Sequence, residues 1–401
     1  MKIGVDASCW ANKRGYGRYT RELLGTLLDT DKENEYRFFL DSETAEISED
    51  LPQDVEKVVV GTSKAATRAA AASGRRSVQD LWAMRRAVHR HGQDLDVFFF
   101  PSVYTYFPIK TRAKVVVTIH DTTAEKYPKL IFPNWSSRMF WKIKVQLAVR
   151  RADLITTVSE ASKREIVREF GISPELVRVV SDAVGPEFSP VEDIASSGEI
   201  LASYGVSNEE RFILYVGGIS PHKNLETLVD AHAALIHESG MDDVKLVLVG
   251  DYQEDVFYSC YAGLCERIHG HGSTDNVVFT GFASEESLSH FYSRASAVVM
   301  PSFDEGFGLP ALEAMACGTP VVASRAGALP EVVGEAGMLF DPSSADELRT
   351  HLSSLLGDAQ LLDMLAARAL VRAKTFTWEN SVQSALEAFR DVTGQYQAAL
   401  A

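Results

Sequence analysis

The chain has 401 residues, 46% of them hydrophobic and 24% charged, with a formal net charge of −15; this is an ordinary globular composition with length for about two domains, and it excludes a largely disordered polymer. The charge is lopsided: residues 1–190 carry 29 Lys and Arg against 25 Asp and Glu, and residues 191–401 carry 11 against 30. So acidic a second half excludes a nucleic-acid surface there, because a phosphate backbone demands cations, and no nucleic-acid partner is expected.

The start, MKIGVDASCW, lacks the apolar stretch of a signal peptide. No window approaches 18 consecutive apolar residues, so no membrane span is expected. Cys9, Cys260, Cys265 and Cys317 are scattered, with no C-x-x-C pair and no zinc-ligand spacing. The expectation is a cytoplasmic protein without a metal.

Strand and helix patterns alternate from the N-terminus. KIGVDA reads as the first strand, and a glycine-rich turn containing Gly15, Tyr16 and Gly17 leads into a helix. G-x-G alone is a weak signal, since many strand-to-helix turns use glycine. Further strands are read at EYRFFL, EKVVVG, DVFFFP, KVVVTIHD and LITTVS. His120 and Asp121 close KVVVTIHD at the carboxyl end of a parallel strand, where ligands gather. A lone histidine there is otherwise a packed, hydrogen-bonded residue. The helix SSRMFWKIKVQLAVRR mixes Arg138, Lys142, Lys144, Arg150 and Arg151 with Phe140, Trp141 and Ile143. Two readings compete: a basic helix lying on an anionic bilayer as a peripheral membrane contact, or a core-packed helix with a solvated basic face.

VGPEFSPVEDIASSGEI combines Pro, Ser and acidic residues with weak periodicity and reads as a linker. A second series then begins, with strands at FILYVG, VKLVLVG, VVFTGF, AVVMPS, TPVVAS and GMLFD. The predicted fold is α/β, two Rossmann-like doubly wound domains facing a cleft. The expected division is residues 1–190, residues 191–380, and a terminal helix over 381–401 packing back on the first domain. In YVGGISPHKNLETLV, Gly218 and Lys223 precede a helix; a lysine there can neutralise a diphosphate as a point charge, or it is an ordinary surface residue.

The strongest motif is EGFGLPALEAMACG. Gly306 and Gly308 permit close main-chain approach, Pro310 suits a first helical turn, and Gly318 suits the stop. A helix from about Pro310 to Cys317 would present free N–H groups and a partial positive charge to phosphate. Glu305 and Glu313 repel phosphate, so their natural partners are hydroxyls. Each feature alone is consistent with a plain loop-to-helix junction; the ordered set is not.

That set resembles the E-x7-E signature of glycosyltransferase family 4, of the GT-B fold, and the resemblance runs from YVGG to GMLFDP. It implies retaining transfer of a hexose from a UDP- or GDP-sugar to a glycan or lipid-linked acceptor, with no metal and no cofactor beyond the donor. It makes the first domain the acceptor domain and the second the nucleotide-sugar domain. Glu305 would contact the transferred sugar and Glu313 the ribose. The main chain of Gly306, Phe307, Gly308 and Leu309 would meet sugar and diphosphate, and Lys223, beside Gly218, the charge developing on phosphate. The base would stack near Phe282. In the first half the resemblance sets Gly15, Tyr16 and Gly17 beside diphosphate and acceptor, His120 near the donor sugar, and Ser159 and Lys163 near the cleft. Family members commonly pair the lysine with an arginine, near Gly218 or just before the lysine. Here those positions are Gly218 and His222, so a protonated His222, or Arg18, is expected to assist. Competing expectations are a sugar-nucleotide epimerase of the same fold and a decayed sugar-nucleotide-binding scaffold. A dinucleotide dehydrogenase fails, because SCWANKRGYGRY does not carry G-x-G-x-x-G at the first turn.

Overall fold

A computed structural model describes residues 1–12, 15–63, 77–132, 134–207, 210–251 and 259–394. The chain divides into two compact units, Met1–Asp182 with Trp378–Ala401, and Ala183–Thr377.

The first unit holds strands β1 (Lys2–Asp6), β2 (Glu35–Asp41), β3 (Glu56–Val60), β4 (Val97–Phe100), β5 (Lys114–Thr118), β6 (Leu154–Thr157) and β7 (Val177–Val179). They form one sheet in the order β3-β2-β1-β4-β5-β6-β7, and every pairing is parallel. The second unit holds β8 (Phe212–Val216), β9 (Lys245–Val249), β10 (Val277–Gly281), β11 (Ala297–Met300), β12 (Val321–Ser324) and β13 (Met338–Phe340). Their order is β10-β9-β8-β11-β12-β13, again all parallel. Both orders reverse direction beside the first strand of the unit, the switch point of a doubly wound sheet.

The central strands VFFF, VVVT, FILYV and AVVM are continuous apolar runs because helices cover both of their faces. Two expectations need correction. The stretch read as a linker contains a helix, Ile194–Ser203, whose start Asp193 caps through the N–H groups of Ala195 and Ser196. Strand β7 was not anticipated, since three residues with an Arg at the centre give no apolar alternation.

The last helix, Trp378–Thr393, belongs to the first unit. Phe389 meets Phe99 edge-on with ring centroids 5.2 Å apart, the Ser381 hydroxyl donates to the Ser181 carbonyl at 2.7 Å, and Arg178 pairs with Asp391 at 3.4 Å. Phe389 is 1% exposed. Phe389→Ala is expected to cost about 3–5 kcal/mol through lost transfer energy and the void left behind; chemical denaturation of the full chain reads it as an earlier midpoint of the first-unit transition.

Candidate active site

The carboxyl ends of β8 and β11, adjacent at the centre of the second sheet, deliver two loops that are tied together. The main-chain N–H of Phe303 donates to the His222 carbonyl at 3.0 Å. Asn224 holds a left-handed backbone (φ 57°), and its side-chain amide donates to the carbonyls of Pro301 at 2.9 Å and Pro342 at 2.7 Å. One side chain therefore pins the loops that leave β11 and β13. Lys223, its neighbour, is set by that clamp and not by a free surface coil.

On this frame the Lys223 ammonium donates to Glu305 Oε1 at 2.7 Å, and the Ser302 hydroxyl donates to the same oxygen at 2.6 Å. Ser302 is itself fully buried, and the Ser324 hydroxyl donates to its carbonyl. Burial disfavours the Glu305 carboxylate, but the Lys223 charge and the two hydrogen bonds outweigh it and hold its pKa below the ordinary value. One oxygen of Glu305 is thus fixed by protein donors, which fixes the direction of the other.

The loop carrying Glu305 is held by close main-chain packing. Gly327 has φ 56°, and a Cβ there would lie 2.5 Å from both the N and the O of Glu305. The Ala328 N–H donates to the Glu305 carbonyl at 2.9 Å. Gly308 has φ 101°, a left-handed value that only glycine adopts without strain, and its absent Cβ would strike Leu329 at 2.7 Å. The chain turns there directly into the helix Leu309–Ala316, one residue earlier at each end than the sequence suggested. Its N-terminus thus follows Glu305, Gly306, Phe307 and Gly308 without a spacer; Phe307 is buried, its ring 5.6 Å from Phe376. Glu313, on the same helix, is 3% exposed and takes the Tyr292 hydroxyl on Oε2 at 2.6 Å. The two glutamates of the motif therefore have separate partners, Lys223 with Ser302 and Tyr292.

Several expected residues differ from the sequence reading. His222 is buried beside the Lys223 ammonium; burial first and that charge second push its pKa down to about 3. It is a neutral imidazole, with Nδ1 3.2 Å from the Ser220 hydroxyl, and not the protonated partner expected. Gly218 lies in the loop after β8, where its carbonyl accepts from the Tyr215 hydroxyl at 2.9 Å. Phe282 follows the edge strand β10 and is 66% exposed, an open aromatic face that no described contact joins to Lys223 or Glu305.

In the first unit, Gly15, Tyr16 and Gly17 are the first turn of the helix Gly15–Thr30 and not a free loop. A Cβ on Gly17 would fall 2.1 Å from the Asn12 carbonyl, so this glycine serves close packing. Tyr16 accepts from the Asn12 amide at 2.7 Å and stacks on Tyr104 with centroids 4.8 Å apart. Arg18 is on the same helix, half-buried. His120 stands just past β5; with Nε2 donating to the Pro101 carbonyl at 3.1 Å, Nδ1 carries the lone pair. Burial lowers its pKa to about 4, so it too is neutral. Asp121 accepts from the Thr123 N–H at 2.9 Å, a local loop-ordering bond. Ser159 is the cap of the helix Glu160–Phe170, bonded to the Ser162 N–H at 3.0 Å, which gives it a structural task; Lys163 is on that helix, half-buried.

Sequence reasoning missed Tyr292, Ser302, Asn224 and Gly327. Only Asn224 had a local signal, as an Asn between Lys223 and a helical run, a residue that tolerates the left-handed region. The other three act across the fold.

Residues 196–372 match the family described as Glycosyl transferases group 1, and residues 14–188 match Glycosyltransferase Family 4. The chain is 30% identical over 388 residues to the O-antigen chain mannosyltransferase B of Escherichia coli, covering 94% of this chain and 96% of that one. Among solved structures it is similar to a sucrose-phosphate synthase from Thermosynechococcus elongatus, with a TM-score of 0.72 at 20% identity, covering 98% of this chain and 100% of that one. It is equally similar to Anabaena HepE in complex with UDP and glucose, with a TM-score of 0.72, 20% identity and the same coverage. The chain belongs to glycosyltransferase family 4, and it is a hexosyltransferase built of two Rossmann-like domains in the GT-B fold.

Proposed function

We propose that the chain transfers a hexose, with retention of anomeric configuration and without a divalent metal, from a nucleoside-diphosphate sugar to a glycan or lipid-linked acceptor. The observation that carries this reading is the convergence of Lys223 and Ser302 on one oxygen of Glu305, four residues ahead of a helix N-terminus. An ammonium has three donors. One holds Glu305; the other two suit the oxygens of a diphosphate lying at the N–H groups of Phe307, Gly308 and Leu309. The second oxygen of Glu305 then suits a hydroxyl of the transferred sugar. Glu313, with one oxygen held by Tyr292, suits the ribose.

The donor is a UDP- or GDP-sugar. Relatives support both a mannosyl and a glucosyl cargo, since one is named a mannosyltransferase and a structural neighbour holds UDP and glucose. In the proposed reaction the bond from the anomeric carbon to the β-phosphate oxygen breaks, and negative charge grows on the diphosphate. Lys223 and the helix terminus stabilise it as fixed donors. The acceptor oxygen bonds to the same face of the anomeric carbon, and its proton passes to the leaving phosphate. Neutral His120, in the first unit, has a lone pair on Nδ1 suited to a donor-sugar hydroxyl. Gly15, Tyr16 and Gly17 suit the acceptor side, and Phe282 the base. The enzyme would work in the cytoplasm, peripheral to a membrane where its acceptor is lipid-linked; among the described residues no helix is long and apolar enough to cross one.

Calorimetry with UDP and GDP tests the donor site: Lys223→Ala is expected to weaken the preferred diphosphate at least tenfold, and equal affinity removes Lys223 from it. Glu305→Gln is expected to lower kcat at least a hundredfold while leaving diphosphate affinity within threefold. NMR of the first product should show the donor's anomeric configuration, and excess EDTA should leave the rate unchanged; an inverted product or an EDTA-sensitive rate contradicts the mechanism.

Lys223 also carries a stability task. Lys223→Met leaves the Glu305 carboxylate buried beside no cation, at a cost of about 3 kcal/mol at neutral pH. Because the folded pKa of Glu305 is depressed, the contribution of the pair is present above the ordinary value of 4.5 and fades as pH falls through the lower folded value. The difference between wild type and Lys223→Met in urea is therefore expected to shrink below that pH.

A further inference from the structure

The helix Trp135–Arg151 fully buries only Val145 and Ala148. Its outward side exposes Trp135 (71%), Met139 (36%), Phe140 (43%), Ile143 (53%) and Leu147 (42%). Positions 135, 139, 143 and 147 recur every fourth residue, with Phe140 alongside, so they form one stripe. The helix packs on the core through Val145 and Ala148, as one of the two readings expected, and its solvent side is apolar as well as basic. The helix Val78–His91 adds Val78 and Trp82, 68% and 57% exposed. Seven of the thirteen large apolar side chains exposed among the described residues thus lie on two helices, whereas the others are scattered over the remaining elements.

The charge on these helices is one-sided. Trp135–Arg151 contains Arg138, Lys142, Lys144, Arg150 and Arg151 and no acid. Val78–His91 contains Arg85, Arg86 and Arg90, and its one acid, Asp80, is buried and holds the Ser63 hydroxyl and N–H. Such a face runs against a chain of net charge −15. Between the helices lies a mainly apolar cavity of about 110 Å³, lined by Leu81, Phe140, Ile143, Leu147 and Tyr104 among others and by Lys144, whose ammonium is held by the Tyr104 carbonyl. Tyr104 is also the ring that stacks on Tyr16. The cavity is therefore one aromatic ring away from the Gly15–Gly17 turn, within the same unit.

We propose that this face docks on an anionic lipid bilayer and that the cavity receives the first part of a lipid hydrocarbon chain. Cations beside apolar residues at 138 and 139, and again at 142 and 143, match an interface where ammonium and guanidinium groups meet headgroup phosphates while apolar tips pass beneath them. Trp82 and Trp135 suit the headgroup level, where amphipathic rings settle. A chain seated beside Tyr104 would bring the head of a lipid-linked acceptor towards Tyr16; this last step rests on the transfer reading above, whereas docking does not.

The test is sedimentation of the full chain, without donor, on vesicles of phosphatidylcholine with and without 30% phosphatidylglycerol, roughly one anionic lipid in three. The expected result is binding to the anionic vesicles at low salt, at least tenfold stronger than to neutral ones. Arg138→Glu with Lys142→Glu, and separately Trp135→Ser with Phe140→Ser, should each lower it at least tenfold. All four side chains are exposed, and an unchanged circular dichroism spectrum and an unchanged urea midpoint of the first-unit transition confirm that the unit carrying them is intact. Lipids brominated along the chain should quench tryptophan emission in wild type and lose part of that quenching in Trp135→Phe. Absence of binding at low salt, equal binding to neutral vesicles, unaffected variants, or self-association through this face in lipid-free buffer would each overturn the proposal. Diphosphate titration is read separately, so failure to dock is distinct from failure of the donor site.

Discussion

The Lys223–Glu305 pair is the interaction on which the second domain's proposed chemistry depends. It joins the loop after β8 to the loop after β11, two strands that are neighbours in space and far apart in sequence. A carboxylate this enclosed stays ionised only because a cation and a hydroxyl share one of its oxygens. The pair is thus a positioning device before any ligand arrives. It aims the second oxygen and holds an ammonium against the loop that leads into the helix Leu309–Ala316, so the groups that would meet sugar and phosphate are held in place together.

The absent family arginine is not replaced by a charged histidine. His222 sits too deep and too near Lys223 to take a proton at neutral pH. Its carbonyl accepts from the Phe303 N–H and so fastens one loop to the other. In the proposed donor site the second domain's positive character for a diphosphate then comes from the Lys223 ammonium and from peptide N–H groups, which carry no net charge and need no counter-ion.

Most of the scaffold was legible in the sequence because the central parallel strands, covered on both faces, are continuous apolar runs, while edge strands such as EKVVV and VVFTG still show short β-branched or aromatic runs. Strand β7 did not, being three residues at a sheet edge, and neither did Ile194–Ser203, whose Ser and Gly content reads as loop until Asp193 caps it. The glycines and glutamates of EGFGLPALE were legible because their order in the chain is their order around the helix start. The partners that set their geometry were not. Tyr292 reaches Glu313 across 21 residues, and Lys223 reaches Glu305 across 82. Gly327 matters through an atom it lacks, facing a main chain 22 positions away, a demand that appears only once the loops are folded against each other.

The acidic character of the second half bears directly on the proposed anionic donor. Residues 191–401 carry 30 acids against 11 bases. At physiological ionic strength a surface charge is screened over about 8 Å, so most of those acids act weakly on a ligand at the strand ends. A donor in direct hydrogen-bonded contact is hardly screened at all. Many of the acids are also answered locally: Asp230 by Arg267, Glu238 by Arg349, Asp243 by Arg211, Glu347 by Arg325. Binding is then decided by a few near donors, while the residual negative field opposes a spent nucleoside diphosphate more than its sugar conjugate, because the freed phosphate carries an additional charge. With the proposed donor, an acidic domain with one well-placed lysine thus suits release of the charged product on every turnover.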